Sequence, residues 1–379
     1  MNDLGPILPL WRELENTGAD YVLATVVQVE GSSYRKPGAR MLLAQDGRRA
    51  GTVSGGCLEA EVARRARWLT EAGPVVERYS TQDDEDERPF GSGCGGVVFL
   101  LLERKETAGP LMQAFENAFN ERVPLAVATV LNGPRIGMRV IAGTTEKADL
   151  SSPLDPLSAD LEREAQTALD GRTSSERTLS LEGTPTRVLA EYCPARSGLW
   201  VFGAGDDAKP VVQFARGLDW FVAVADGRAH LATRDRFASA CEVRVLPIFD
   251  LPETAGVHFS LRASDAAVLM THSFDQDARI LASLLSADAL PAYLGVLGPQ
   301  RRTRELLAEA GRLLGLSDST DRIERWLAQL HAPTGLDLGA DAPATIALAI
   351  VAEIQKSLTA ATGQPLRTVR ATHEIATRC

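Results

Sequence analysis

Cysteine is scarce in this chain: 379 residues hold five, at positions 57, 94, 193, 241 and 379. No C-x-x-C pair occurs among them. That spacing gives no support to a disulfide framework, a structural zinc site or an iron–sulfur cluster. No apolar run approaches the roughly 20 residues that a membrane-spanning helix needs. The start, Met1-Asn2-Asp3-Leu4-Gly5-Pro6, lacks the basic residues and apolar stretch of a secretory signal. The expectation is a cytoplasmic protein with no membrane partner. A net charge of −10 leaves no general basic surface, which argues against nucleic acid as a partner. The G-x-S-x-G, H-E-x-x-H and G-x-x-x-x-G-K-[ST] patterns are also absent, so no complete catalytic set stands out.

What is present is glycine in unusual places. Two cysteines lie inside glycine-rich turns, Ser54-Gly55-Gly56-Cys57-Leu58-Glu59 and Gly91-Ser92-Gly93-Cys94-Gly95-Gly96. Glycine there permits positive φ and brings bare amide N–H groups close to a ligand. The first turn leads into a helical pattern, Leu58, Val62, Ala66, Leu69. Cys57 is thus expected at a helix N-terminus, where unpaired N–H donors favour an anion and a thiol loses its proton more easily. A third turn, Gly31-Ser32-Ser33-Tyr34-Arg35-Lys36-Pro37-Gly38, offers hydroxyls and two cations suited to a phosphate or another anion.

The length implies two or three domains. In the first, taken as residues 1–195, strands are expected over 22–29, 39–44, 75–79 and 97–102. Asp46-Gly47 marks a hairpin, a helix runs to about Leu69, and the acidic run 83–87 reads as a solvated loop. A similar order recurs. Ala24-Thr25-Val26 is echoed by Ala128-Thr129-Val130, and Gly38-Ala39-Arg40-Met41-Leu42-Leu43-Ala44 by Gly137-Met138-Arg139-Val140-Ile141-Ala142. A helix near 158–170 and strands near 177–181 and 186–192 follow. The pattern predicts a degenerate duplication of a ββαββ unit, with copies over 10–104 and 110–195. The second copy lacks both cysteine turns, so chemistry is expected in the first and scaffolding in the second.

The pattern changes in the second domain, 196–379. Leu199-Trp200-Val201-Phe202 reads as a buried strand, followed by Gly203-Ala204-Gly205-Asp206-Asp207-Ala208, a helix, and the strand Phe221–Ala225 ending in Asp226. This is a Rossmann start, with Gly203 and Gly205 in the phosphate turn and Asp226 placed to reach a ribose. Asp206 and Asp207 put negative charge where a pyrophosphate would lie, which repels it unless they are paired or protonated. Strands over 243–248, 266–271 and 293–297 alternate with helices over 276–286 and 300–314. The fold class expected is α/β: a C-terminal doubly wound, Rossmann-like parallel sheet plus an N-terminal mixed α+β domain with an internal duplication. Ligands sit beyond the carboxyl ends of such strands, which singles out His272 as an acid, base or ligand and Arg301 with Arg302 as anion contacts. An apolar helix over 343–358 is expected to be buried, against the sheet or another copy of the chain.

These pieces together resemble the XdhC/CoxI family, maturation factors for xanthine dehydrogenase and carbon monoxide dehydrogenase. The resemblance rests on Glu30-Gly31-Ser32-Ser33-Tyr34-Arg35, on the Cys57 and Cys94 turns, and on Phe202-Gly203-Ala204-Gly205. Met270-Thr271-His272, Leu297 to Arg302 and Gly335-Leu336-Asp337-Leu338-Gly339 carry the rest. It implies a factor that binds the molybdenum cofactor (molybdopterin), holds it during sulfuration and passes it to an apo molybdenum hydroxylase, with a cysteine desulfurase as a further partner; the homodimer expected here rests instead on the apolar C-terminal helix of an acidic two-domain chain. Cofactor contacts are then expected from Ser32, Arg35, Gly55, Gly56, Cys57, Cys94, Gly203, Gly205, Asp226, His272, Arg301 and Arg302, with Cys57 as a ligand or shield for molybdenum. One departure is Asp206, where family members often carry His after Gly-Ala-Gly. Two other readings stay open: an NAD(P)-dependent oxidoreductase working through the Rossmann half with Cys57 as a redox or nucleophilic group, and a docking scaffold whose glycine loops are only structural.

Overall fold

The computed structural model describes residues 4–56, 58–80, 96–143, 156–181, 184–251, 259–317 and 319–369. Cys57 and Cys94, and the acidic run 83–87, lie outside the described residues. The chain divides into two compact units, Met1–Arg196 and Ser197–Cys379.

The first unit opens with helix α1 (Leu4–Thr17), whose Leu4, Ile7, Leu8, Trp11 and Leu14 recur at helical spacing and are buried. An antiparallel sheet follows: β1 (Tyr21–Glu30), β2 (Arg40–Ala44), β3 (Arg49–Gly51), β4 (Val75–Ser80) and β5 (Val97–Arg104), in the order β3-β2-β1-β5-β4. The Asp46-Gly47 turn joins β2 to β3. Helix α2 (Glu59–Leu69) covers one face with Val62 and Ala66. Helix α3 (Lys105–Glu121) packs Leu111, Met112, Phe115 and Phe119 against α1. A second antiparallel sheet holds β6 (Leu125–Val130), β7 (Arg139–Ala142), β8 (Ser175–Leu181) and β9 (Thr184–Cys193), with helix α4 (Pro156–Gly171) between β7 and β8. Its order is β7-β6-β9-β8, which matches β2-β1-β5-β4 strand for strand.

The correspondence extends to single residues. Thr25 faces Arg40 across the first sheet as Thr129 faces Arg139 across the second, and Leu23 faces Glu103 as Val127 faces Glu191. The two buried charges of each sheet pair across to the other. Arg40 donates to both oxygens of Glu191, and Arg139 to Glu103. Each arginine also donates to the carbonyl of the glycine two residues before it, Gly38 or Gly137. A Cβ on Gly38 would lie 2.6 Å from the Glu191 carboxylate, and one on Gly137 3.0 Å from that of Glu103, so side-chain-free backbone lets each glutamate reach its arginine. The carboxyls differ in strength: burial pushes Glu103 up despite Arg139, whereas at Glu191 burial is outweighed by Arg40 and the group is held low. The strand β3 has no partner in the second sheet among the described residues.

The second unit is a parallel sheet of β10 (Gly198–Phe202), β11 (Phe221–Asp226), β12 (Glu242–Val245), β13 (Ala266–Leu269) and β14 (Tyr293–Val296), ordered β12-β11-β10-β13-β14. Alternate residues feed two cores. Leu199, Val201, Val222 and Val224 pack with helices α5 (Ala208–Gly217) and α9 (Pro343–Leu358). Trp200, Phe202, Ala223 and Ala225 pack with α6 (Phe274–Leu285) and α7 (Gln300–Leu313). Helices thus cover both faces of a parallel sheet, as a doubly wound fold requires. The expected strand over 243–248 is shorter, because Ile248 already lies in a 3₁₀ turn, Ile248–Asp250. A short helix α8 (Thr320–Leu327) leads to the loop from His331, which Glu353 of α9 holds by accepting from Tyr293 Oη at 2.6 Å and Gly335 N–H at 2.7 Å. No helix among the described residues is long and apolar enough to cross a membrane.

Removing one member of a buried ion pair leaves the other uncompensated, at about 3–5 kcal/mol. Arg139→Met is expected to destabilise the protein by that amount in denaturant unfolding, and the double variant Arg139→Met with Glu103→Met to recover most of the loss. Simple addition of the two single losses would mean that the pair is not coupled.

Candidate functional site

In the first unit, among the described residues, the Ser32–Tyr34 loop lies against Gly96 on one side and Gly55 on the other. A Cβ placed on Gly96, at the end of the Cys94 turn, would lie 2.1 Å from the Ser32 carbonyl oxygen, so only glycine lets this backbone seat on the Ser32 loop. A Cβ on Gly55 would lie 3.9 Å from the Tyr34 ring. Ser32, Tyr34, Gly55 and Gly96 therefore share one neighbourhood. Tyr34 is 73% exposed there.

The Ser54–Glu59 turn is built around a buried carboxylate. Glu59, 4% exposed, accepts from Ser54 Oγ at 2.5 Å, Ser54 N–H at 2.8 Å, Val53 N–H at 3.2 Å and the Thr52 hydroxyl. Ser54 Oγ in turn accepts from the N–H of Gly56 at 3.2 Å and of Leu58 at 3.1 Å. This corrects the expectation of bare amides beside Cys57: the donors of Gly56 and Leu58 are already satisfied by Ser54. Leu58, fully buried, is the N-cap residue, and the helix starts at Glu59. Burial raises the Glu59 carboxyl, but the hydroxyls of Ser54 and Thr52 and the Ser54 N–H outweigh it and bring it to about 2. The role of Glu59 was not drawn from sequence, although its position five residues after Ser54 is part of the motif.

In the second unit the carboxyl ends of β10, β11 and β13 carry a polar network. Gly203, at φ +134°, lets the end of β10 meet β13, since a Cβ there would lie 2.4 Å from the Met270 carbonyl. Asp226 is fully buried. Its carboxylate accepts from the Ala204 N–H at 2.8 Å and from the N–H, Nε and Nη2 of Arg228 at 2.7–2.9 Å. Burial raises this carboxyl, but Arg228 and the two amides hold it below its ordinary value. The ribose-reading role expected of Asp226 is thus not what the geometry offers: the carboxylate ties the Gly203–Asp207 turn to Arg228. Arg228 also reaches the Thr271 carbonyl at 2.8 Å.

The acids of the turn are paired. Asp206 meets Lys209 at 2.8 Å and Arg236 at 3.0 Å, which hold it low. Asp207 meets His272 Nε2 at 2.7 Å. His272, at φ +59°, is a non-glycine residue in the left-handed region, and its side chain is 59% exposed. Arg302 pairs with buried Asp277 at 2.7 Å, and Asp277 accepts from the Thr271 hydroxyl at 2.7 Å. The cation at the start of α7 thus has an internal counterion rather than needing an external anion. Arg301 is 90% exposed. Among the described residues no group of three or more His, Cys, Asp or Glu could hold a metal ion. The pairing duties of Arg228, Asp207 and Asp277 were not read from sequence; an arginine two residues after the strand-ending acid was the available signal for the first.

Comparison with known proteins gives one family match within each unit. Residues 14–80 match the family described as "XdhC and CoxI family", and residues 199–354 the one described as "XdhC Rossmann domain". The chain is 28% identical over 337 residues to a Bacillus subtilis (strain 168) protein named as a probable xanthine dehydrogenase component, covering 88% of this chain and 92% of that one. It is 27% identical over 366 residues to "Molybdenum cofactor insertion chaperone PaoD" of Escherichia coli (strain K12), covering 93% and 88%. A crystal structure described as a xanthine dehydrogenase from Bacillus halodurans superposes with a TM-score of 0.70 at 27% identity, covering 95% of this chain and 96% of that one.

Because Glu59 sits near 2 in the fold against an ordinary 4.5, its ionised form adds stability that is complete above about pH 4.5 and is lost as pH falls toward 2. Glu59→Gln is expected to cost on the order of 2–3 kcal/mol at pH 7 and to flatten the acid limb of the stability curve. An unchanged acid limb in this variant would remove Glu59 as the clamp.

Proposed function

Because the chain belongs to the XdhC and CoxI family, we propose that it is a maturation factor for molybdenum enzymes that carries the molybdenum cofactor as cargo. It holds the cofactor while the terminal sulfido ligand is installed and delivers it to an apo molybdenum hydroxylase of the xanthine or carbon monoxide dehydrogenase type. A cysteine desulfurase supplies the sulfur, and the chain acts as accessory factor rather than catalyst. The observation that carries this reading is the seating of the Ser32–Tyr34 loop against Gly96 and Gly55, with the Ser54–Glu59 clamp fixing the residues on either side of position 57.

The division of labour follows from the chemistry. Cys57 supplies a soft thiolate, the donor type that suits a molybdenum–sulfur centre. Ser32, Arg35, Gly55 and Gly56 supply polar and charged contacts around it, with Cys94 two positions before Gly96, the residue that seats against Ser32. Glu59 and Ser54 are positioning residues. In the second unit His272, oriented by Asp207, is placed to move a proton at Nδ1.

The oxidoreductase reading loses its main support with Asp226, whose oxygens are held by Arg228 and Ala204. Two measurements test the carrier. The full chain purified from a molybdenum-replete host is expected to retain molybdenum and pterin. Cys57→Ala is expected to lose at least tenfold of the metal while melting like the parent. Equal retention by the variant would remove the thiol from the site. Titration with NADH is expected to give no hydride transfer to aldehydes or purines; turnover would restore the enzyme reading.

A further inference from the structure

The two glycines that make room for the crossed ion pairs are not equally covered. The position a Cβ on Gly137 would take lies 3.1 Å from both Cβ and Cγ of Pro74, so a proline ring closes that side of the Arg139–Glu103 pair. The same position on Gly38, its chain neighbours aside, meets nothing but Glu191 within 3.8 Å among the described residues. Strand register identifies the counterpart of Pro74. Val75 faces Leu102, next to Glu103, as Ser175 faces Ala190, next to Glu191. The residue before the strand is thus Pro74 in one copy and Ser174 in the other. Ser174 is exposed, and its hydroxyl accepts from the Tyr192 N–H at 2.9 Å instead of covering Gly38. What stands open beside Gly38 is a cavity of about 420 Å³. Tyr34, Phe115 and Tyr192 line it together with Pro37, Pro194 and Lys36. Lys36 is exposed and makes no ion pair among the described residues.

We infer that this cavity docks an extended, acidic, proline-bearing segment of a partner protein, its proline ring taking at Gly38 the place that Pro74 takes at Gly137 and a neighbouring carboxylate meeting Lys36. The twin site shows that a proline ring fits against such a glycine and its ion pair. Proline brings no N–H that burial would leave unpaired, and its fixed backbone has little freedom left to lose. Aromatic walls are what such segments dock on elsewhere, ring against ring. Charge selects the flanks: a chain of net charge −10 repels acidic segments in general, and Lys36 stands clear at the rim to receive one. The chain's own Glu71-Ala72-Gly73-Pro74-Val75-Val76-Glu77 has this composition, a proline between two carboxylates. The inference rests on the maturation reading for the identity of the partner in the cell, an apo molybdenum hydroxylase. It gives the second copy a share in recognition, where sequence alone suggested scaffolding.

The test uses the full chain and a synthetic heptapeptide of residues 71–77, acetylated and amidated, followed by saturation-transfer NMR. The peptide is expected to bind with a dissociation constant of about 1 mM or tighter, its proline ring protons taking up the strongest saturation. Pro74→Ala in the peptide is expected to weaken binding at least fivefold. Glu71→Gln with Glu77→Gln in the peptide is expected to weaken it at least threefold, and added salt to remove that difference. In the protein, Lys36→Glu is expected to weaken the parent peptide at least threefold and leave the glutamine form unchanged. Tyr192→Ala is expected to weaken both at least threefold. Both side chains are at least partly exposed, and melting curves matching the parent check that the variants fold. No saturable binding at millimolar peptide, or equal binding by the Pro74→Ala form, overturns the proline assignment. Binding that Lys36→Glu leaves unchanged overturns the charge assignment, and binding that Tyr192→Ala leaves unchanged overturns the cavity as its place. The maturation reading fails separately: a chain that binds the peptide through Lys36 and Tyr192 yet never retains molybdenum keeps this inference and loses that one. A chain that retains molybdenum and binds no peptide does the reverse.

Discussion

Two arginine–glutamate pairs, crossed between two similar sheets, set the architecture of the first unit. Each sheet buries one cation and one anion that it does not pair internally. Left alone, either would hold uncompensated charge in a medium that penalises it by several kcal/mol per ion. Only when Arg40 finds Glu191 and Arg139 finds Glu103 does the arrangement become tolerable. The two halves must therefore fold onto each other, and in one register. A slip of one residue in either sheet would turn its charges to the opposite face. The same constraint explains Gly38 and Gly137, where any side chain would block the carboxylate's approach.

The pairing also relates fold to site. The loop that precedes Arg40 is the one bearing Ser32, Tyr34, Arg35 and Lys36. Its trailing end is held by Gly38, which accepts from Arg40 through its carbonyl and donates to Val26 through its N–H. Gly96 presses on its leading end, at Ser32. A loop anchored at both ends presents its side chains with little entropy left to lose, the condition under which a few polar contacts can discriminate between ligands.

How far the sequence carried depended on how local each signal was. Short apolar runs bounded by turn residues located the strands of both units, and the spacing of Val62 and Ala66 located α2 and its burial. The echo of Gly38–Ala44 by Gly137–Ala142 placed Arg40 and Arg139 in equivalent positions, and the register agrees. The glutamates that answer them were not legible, because Arg40 and Glu191 are separated by 151 positions and no short-range pattern links them. The helices α1 and α3 carry ordinary apolar stripes that drew no inference beside the glycine turns. In the Rossmann unit the motif was legible, but the duty of its acid was not. The decisive residue, Arg228, lies two positions past the strand-ending acid; that spacing was the one signal, but it does not fix that the side chain folds back onto the acid.

A parallel sheet of this kind ordinarily uses its strand-ending acid as the hand that grips a diol. Here that hand is closed on an arginine of its own loop. Living cells hold abundant pools of free dinucleotides, and a protein that exposed such a grip would spend its life loaded with whichever one prevailed. A diol arriving at this turn would have to compete with Arg228 and the Ala204 N–H for the same two oxygens, so any sugar contact here comes at the expense of the bond that ties the turn to its own loop.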